Sequence, residues 1–233
     1  MLKTGINHTA EDYLRAIYRL EEREGNASNA ALARELGISA AAVSEMVKKM
    51  GEMKLVRYRK YHGTKLTPKG KSIAVGITRK HRLWEVFLIE HLNFAWDQVH
   101  ELAHQLEHIN SEELIDRLDD FLGNPTHDPH GDLIPAKDGT VPQRDLVPLS
   151  AMEPGWSGSL RRVSDEHPEL LRYAASLGLE IGRKVTVLER INFDGSVRLV
   201  SGDKESVVSE KLAASLYAQI NVDDKLDERK QPG

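Results

Sequence analysis

Residues 96–109 (WDQVHELAHQLEHI) place His100, His104, Glu107 and His108 at spacings i, i+4, i+7 and i+8. On a helix these positions form one stripe, so three imidazoles and a carboxylate share a face. Upstream, His81 and Glu85 are also four residues apart. Imidazoles and carboxylates on neighbouring helical faces are the material of a divalent-metal site. Isolated histidines such as His62 and His91 read as ordinary polar surface. The same stretch holds His100-Glu101-Leu102-Ala103-His104, a match to H-E-x-x-H. In that motif both histidines bind one zinc and the glutamate activates its water. A zinc hydrolase with Glu101 as base is therefore the alternative reading, although so short a motif arises readily by chance in a His- and Glu-rich helix.

These side chains need a scaffold of several elements. Residues 8–24 repeat Tyr13, Ile17 and Leu20 at helical spacing, with His8 or Thr9 as cap and Gly25 as terminator. A short helix over 28–36 closes at Gly37. Ser39 caps a third helix with Val43, Met46, Val47 and Met50 facing inward. Residues 55–67 read as two short strands around His62-Gly63, and Pro68 starts a long helix over about 69–91. Helices over about 96–109 and 111–122 follow. Residues 123–148 hold five of the nine prolines and read as a linker. From about 150 to 220 the period shortens to that of strands, which predicts a small β-barrel. The polar tail from Asp223 reads as disordered.

Composition narrows the function classes. The 233 residues contain no cysteine, which excludes disulfides, thiolate zinc sites and a cysteine nucleophile. No apolar run reaches the length of a membrane span, and the N-terminus has no secretory h-region. The expectation is a cytoplasmic protein. The net charge of −4 hides an asymmetry. Residues 1–80 carry 16 Lys+Arg against 8 Asp+Glu, whereas the remainder carries 16 against 28. A basic module on an acidic body points to a polyanion partner.

Helix–turn–helix–wing is the economical reading of residues 26–67. The third helix would enter a DNA major groove with Ser39, Ala40, Ala41, Ser44 and Glu45 near base edges. These short side chains allow close approach and give little direct readout. Arg57, Arg59, Lys60 and Lys65 on the wing, with Lys48, Lys49, Lys69 and Lys71 beside it, suit phosphate contacts.

Taken in order, TAEDYLRAIYRLEE, ISAAAVSEMVKKM, LTPKGKSIA, RKHRLWEVFL, VHELAHQLEH and HDPHGDLIP resemble the diphtheria-toxin-repressor family of iron- and manganese-dependent transcriptional repressors. The resemblance covers about residues 5–220. It implies a mainly α fold with β. Residues 1–72 form an N-terminal winged helix-turn-helix, and 73–148 a helical metal-binding and dimerisation domain with the Pro-rich linker. Residues 149–222 form a C-terminal SH3-like (FeoA-type) β-barrel, and 223–233 a tail. It implies a primary metal site of Asp12, His104, Glu107 and His108. The His104 position is typically Cys or Glu in relatives. Manganese-type relatives use a carboxylate one turn after Asp12, where this chain has Arg15. An ancillary site maps to His81, Glu85 and His100, completed by Asp128 and His130 of the Asp128-Pro129-His130-Gly131 segment or by Asp165. The implied partners are double-stranded operator DNA and a second copy of the chain, with surface around Leu83–Ile89 and Leu114–Leu122 at the interface. The implied co-repressor is Mn2+ or Fe2+, with Zn2+ able to bind in vitro. On this mapping the two H-E-x-x-H histidines serve different metals. A winged-helix regulator answering an organic ligand is the third reading.

Overall fold

A computed structural model describes residues 6–59, 63–142, 144–164 and 168–220. Lys60, His62, Asp165 and the tail from residue 223, all singled out from the sequence, lie outside the described residues. The chain divides into two compact units. The first comprises Met1–Trp84, Ala103–Thr126 and Ile134–Val141, and the second Glu85–Leu102, His127–Leu133 and Pro142–Gly233.

The first unit opens with three capped helices: α1 (His8–Glu24), α2 (Asn29–Leu36) and α3 (Ala40–Glu52). The cap of α1 is Asn7, not His8 or Thr9. The extended backbone of Asn7 lets its side-chain oxygen accept from the Ala10 N–H, and His8 and Thr9 already belong to the first turn. Ser28 and Ser39 cap α2 and α3 in the same way. Each such cap contributes about 1 kcal/mol. Gly25 and Gly37 end α1 and α2 in the left-handed conformation. Strands β1 (Val56–Arg59) and β2 (Gly63–Leu66) form the wing hairpin. Gly63 has φ +76, and a Cβ there would lie 2.7 Å from the Ala27 carbonyl oxygen. That close approach lets Ala27 and Thr64 exchange backbone hydrogen bonds of 2.8 and 3.2 Å, which ties the wing to the α1–α2 turn. Leu14, Ile17, Leu20, Leu32, Val43, Val47, Met50 and Leu55 form the core between these elements. Burying each such side chain contributes about 1.5–3 kcal/mol. Leu14→Ala is expected to cost about 2–5 kcal/mol.

Thr67 caps α4 (Pro68–Glu90) by accepting from the Gly70 N–H, with Pro68 at the first helical position. Helices α5 (Val99–Leu106) and α6 (Glu112–Phe121) follow. Helix α5 is shorter than the periodicity predicts. Residues 96–98 form a turn held by Gln98 N–H to Ala95, and the end tightens through Ile109 N–H to Leu106. Glu107 still donates its N–H to Ala103 at 2.8 Å, so Glu107 and His108 keep helical spacing.

Residues 123–142 are not a free linker. Asp128, His130, Gly131, Ile134 and Pro135 are buried, and Ile134 N–H bonds to the Thr126 carbonyl. The glycines and prolines serve tight turns there. Gly131 takes φ +86, and a Cβ would lie 1.8 Å from the Arg161 carbonyl oxygen.

The second unit is built on one antiparallel sheet: β3 (Val147–Pro148), β4 (Ser157–Val163), β5 (Lys184–Arg190), β6 (Val197–Ser201), β7 (Lys204–Val208) and β8 (Leu216–Ile220). Its order is β3-β8-β4-β5-β6-β7. Bulges at Leu160/Arg162 and Val187/Glu189 bend the long strands. Two helices escaped the strand-period reading, α7 (Pro168–Ser176) and α8 (Glu210–Ser215). They cover Leu160, Val185, Val187, Val197 and Leu199 with Leu171, Ala174, Leu212 and Ala213.

Candidate metal centre

The first unit brings Asp12 from α1 together with His104, Glu107 and His108 from the α5 segment. Each offers a donor atom, all within 4.8 Å of one another. Asp12 Oδ1 lies 3.0 Å from His104 Nε2 and 3.1 Å from His108 Nε2. The other nitrogen of His108, Nδ1, donates to Glu11 Oε2 at 2.7 Å. Nε2 of the same ring faces Asp12 Oδ1, so both ring nitrogens of His108 have carboxylate partners, and a proton or a metal ion must bridge Nε2 to Asp12. His8 stacks flat on His108, with ring centroids 4.4 Å apart. Burial pushes the Asp12 carboxyl up, but the His104 hydrogen bond and the charges of His104, His108 and Arg15 outweigh it, and its pKa is lowered. His104 is correspondingly raised by its bond to Asp12, against burial and Arg15. Glu11 was not a sequence candidate. Its only signal is its place beside Asp12 in the first turn of α1, where acidic residues serve the helix dipole equally well.

Glu107 is fully buried. Its Oε2 lies 2.5 Å from His81 Nδ1, its Oε1 3.1 Å from Arg15 Nε, and Arg15 Nη1 is 3.1 Å from His81 Nδ1. Burial raises the Glu107 pKa, yet the His81 hydrogen bond and the Arg15 charge hold it below the ordinary value. Its Oε1 has an ionic neighbour but no hydrogen-bond donor.

The second unit holds a separate group, Glu85, Asp128 and His130, all buried, with donor atoms within 4.8 Å. Asp128 Oδ1 accepts from the His130 and Asp132 backbone N–H groups, each at 2.9 Å. His130 Nε2 donates to the Trp96 carbonyl at 3.0 Å, and its Nδ1 lies 3.9 Å from Glu85 Oε2. His100 Nδ1 is 3.4 Å from Glu85 Oε1.

Residues 6–64 match the iron-dependent repressor N-terminal DNA-binding domain, 67–136 the iron-dependent repressor metal-binding and dimerisation domain, and 147–220 the FeoA domain. The diphtheria toxin repressor of Corynebacterium glutamicum is 30% identical over 222 residues, covering 91% of this chain and 96% of that protein. The chain belongs to the diphtheria-toxin-repressor family of metal-dependent DNA-binding repressors. The iron-dependent repressor IdeR of Mycobacterium tuberculosis (strain ATCC 25618 / H37Rv) is 39% identical over 127 residues, so that match spans 54% of this chain and about half, 55%, of IdeR. A solved manganese-dependent transcriptional repressor in complex with manganese superimposes with a TM-score of 0.85 at 35% identity, covering 91% of this chain and all of that one. The manganese regulator SloR follows at TM-score 0.80 and 38% identity, covering 91% and 98%.

Family membership accounts for the winged helix-turn-helix, the helical metal-binding domain and the FeoA-type sheet. It leaves the zinc hydrolase reading unsupported. The side chains agree: His104 turns to Asp12 in the first unit, His100 to Glu85 in the second, and Glu101 is exposed. The first-unit donors fit the family's divalent ion, since a buried Glu107 oxygen lacks a donor and two imidazoles converge on Asp12.

On α3, Ser39, Ala40, Ala41, Ser44, Glu45 and Lys48 are all exposed. Ser44 is held from two sides, donating to the Ala40 carbonyl and accepting from Asn29 Nδ2, each at 2.9 Å. Glu45 pairs with Lys49 at 2.7 Å. Arg57, Arg59 and Lys65 line a groove beside the wing with Glu24 and Asn26. Among the described residues, no helix is long and apolar enough to cross a membrane.

Proposed function

We propose that this protein binds operator DNA as a homodimer and represses transcription when Mn2+ or Fe2+ occupies the Asp12, His104, Glu107, His108 cluster. The observation that supports this best is the convergence of two imidazole nitrogens on one oxygen of Asp12. Asp12 is on α1, which packs on α2 of the helix-turn-helix and on the wing strand β2. His104 is on α5, and Glu107 and His108 are in the turn that ends it. A divalent ion would supply the positive charge that lets donors from both helices face one another. The residues themselves do the rest: Glu11 orients His108, Arg15 and His81 orient Glu107, and α1 carries the consequence to the DNA-reading helices. Two recognition helices about one DNA turn apart would then read a palindromic site.

The donor set has two imidazoles, two carboxylates and no sulfur, which favours harder ions than a thiolate site does. Zn2+ should bind at least as tightly in vitro by the Irving–Williams order, but a tetrahedral ion can close on a subset that omits Asp12. Glu85, Asp128 and His130, with His100, are proposed to hold a second, ancillary ion. The resemblance also assigns His81 to the ancillary set, and its Nδ1 lies 2.5 Å from Glu107 Oε2. Ser39, Ala41, Ser44, Glu45 and Lys48 would face the major groove, and Arg57 and Arg59 the phosphates.

The test is selection of DNA from a genomic promoter library with buffered Mn2+, anaerobic Fe2+, Zn2+ or chelator. Retention of one promoter class with Mn2+ or Fe2+, and its loss with chelator, is expected. Equal retention with chelator contradicts a metal co-repressor and favours an organic effector. Activation by Zn2+ alone at cellular free concentrations overturns the choice of metal.

A further inference from the structure

Three residues from the start of α1 reach His108, and the ligand set explains only two of them. Asp12 Oδ1 faces His108 Nε2 at 3.1 Å, and Glu11 Oε2 faces His108 Nδ1 at 2.7 Å. His8, one turn before Asp12, lays its ring flat on the His108 ring, with centroids 4.4 Å apart and planes 7° apart. The His104 ring meets His108 edge-on, at 65° and 5.5 Å. His108 is thereby held at both nitrogens and on one face, and its side chain is only 10% exposed. His8 is itself exposed and gives α1 little. Histidine is a poor helix former, and Asn7 already caps the helix.

We propose that the His8–His108 stack is an ion-independent latch, which holds α1 against the α5 segment and so sets the Mn2+ or Fe2+ concentration at which the cluster responds. The contacts differ in what they need. Asp12 meets Nε2 only across a bridging proton or metal ion, whereas the flat stack needs neither, because it rests on ring overlap. The stack therefore favours the arrangement that assembles the ligands before the ion arrives. An ion that binds only the assembled arrangement has its apparent affinity reduced to the fraction of chains already in it. A contact that raises this fraction without touching the ion lowers the concentration needed for half-saturation. It leaves the ion-saturated state as it was. A parallel aromatic pair is strong enough to move that concentration by roughly 2- to 10-fold. His8 thus tunes the threshold of a response that Asp12 confers.

The inference rests on the metal reading of the preceding section, and the measurement separates the two. Mn2+ binding to the full-length chain is followed by the electron paramagnetic resonance signal of free Mn2+. Operator binding is followed by anisotropy on the promoter fragment retained with Mn2+. His8→Ala is expected to raise the Mn2+ midpoint by roughly 2- to 10-fold, with the number of bound ions and the operator affinity at saturating Mn2+ unchanged. His8→Phe keeps a flat ring without nitrogen donors and should restore the wild-type midpoint. An unchanged midpoint in His8→Ala overturns the proposal. So does a His8→Phe midpoint as high as that of His8→Ala, which would make the His8 nitrogens responsible and not the stack. Weaker operator binding by His8→Ala at saturating Mn2+ also overturns it, because a latch acts on the threshold alone. Identical Mn2+ binding by wild type and Asp12→Ala would instead sink the metal reading itself and leave the stack as packing.

Discussion

The two histidine–carboxylate groups are built by different means. In the first unit, helices and the turn that ends one of them supply the donors: Asp12 on α1, His104 on α5, and Glu107 and His108 just past it, oriented by Glu11, His81 and Arg15. In the second unit, Glu85 is helical but Asp128 and His130 come from a Pro/Gly loop whose backbone wraps the Asp128 side chain. The first group is partly open, with Asp12 25% and His104 36% exposed at their side chains. In the second, Glu85 and His130 are each 1% exposed. Helical spacing thus makes an accessible site of adjustable side chains, whereas the loop makes a closed one in which ligand and backbone are a single structure. Substitutions in the first group should act mainly on metal response. Those in the second should act on folding as well.

Glu107 is the exception that sharpens this contrast, and it carries the largest expected effect. Glu107→Ala leaves Arg15 and His81 without their buried partner, and losing one member of a buried ion pair costs about 3–5 kcal/mol. Urea unfolding of the metal-free protein measures it. A loss below about 1 kcal/mol would show the Arg15–Glu107 pair to be unimportant to the metal-free fold.

Asp12→Ala should change metal-free stability little, because Asp12 is partly exposed, yet it should weaken Mn2+ binding by at least about 100-fold, beyond the loss typical of an outer-shell partner. His108→Ala is expected to match it. Isothermal titration checks both, and a full metal response of DNA binding in Asp12→Ala would remove the α1–α5 link.

Asp128→Ala strips the acceptor from two backbone N–H groups, at a cost of about 1–3 kcal/mol in the second unit. Mn2+ affinity of the first-unit group should be unaffected. If Asp128→Ala and Asp12→Ala changed the same Mn2+ isotherm, the two groups would not be separate.

The legibility of these groups follows their construction. The His104–Glu107–His108 spacing and the caps Ser28 and Ser39 are local patterns of period 3.6 and were readable directly. The pairing of Asp12 with residues 92–96 positions away has no local signature, and only family resemblance reached it. Glu11 went unseen because acidic residues are common in any first helical turn. The Pro-rich stretch read as a linker because turns and linkers share composition, and only burial of Asp128, His130 and Ile134 tells them apart. Helices α7 and α8 were missed because each is shorter than three turns and lies between strands.

The wing allows a smaller test of the exposed surface. Arg57→Ala with Arg59→Ala should weaken binding to all DNA sequences and lower the slope of log affinity against log salt by about 0.9 per lost phosphate contact. An unchanged slope would put the phosphate-binding surface elsewhere.

The smallest expected effect is on pH dependence of the metal-free chain. Asp12 has a lowered pKa, so its stabilisation is present above about pH 3.9 and is lost as pH falls through the folded value. His104 has a raised pKa, so its share is present below about pH 6.5 and is lost as pH rises through the folded value. The Asp12–His104 pair should therefore stabilise most between these limits. Asp12→Ala should flatten both arms, and saturating Mn2+ should abolish the alkaline one by replacing the proton. Unfolding midpoints from pH 3 to 9 would reveal this, and identical profiles for wild type and Asp12→Ala would deny the pairing.

The most direct test of the account is reciprocity between metal and DNA. If an ion held between α1 and α5 favours the DNA-binding arrangement, operator DNA must tighten Mn2+ binding by the same factor by which Mn2+ tightens operator binding. Mn2+ affinity of the full-length chain, measured with and without saturating operator, gives that factor. The account predicts tighter Mn2+ binding on the operator in wild type and no such change in Asp12→Ala. Equal Mn2+ affinity with and without operator in wild type would contradict it.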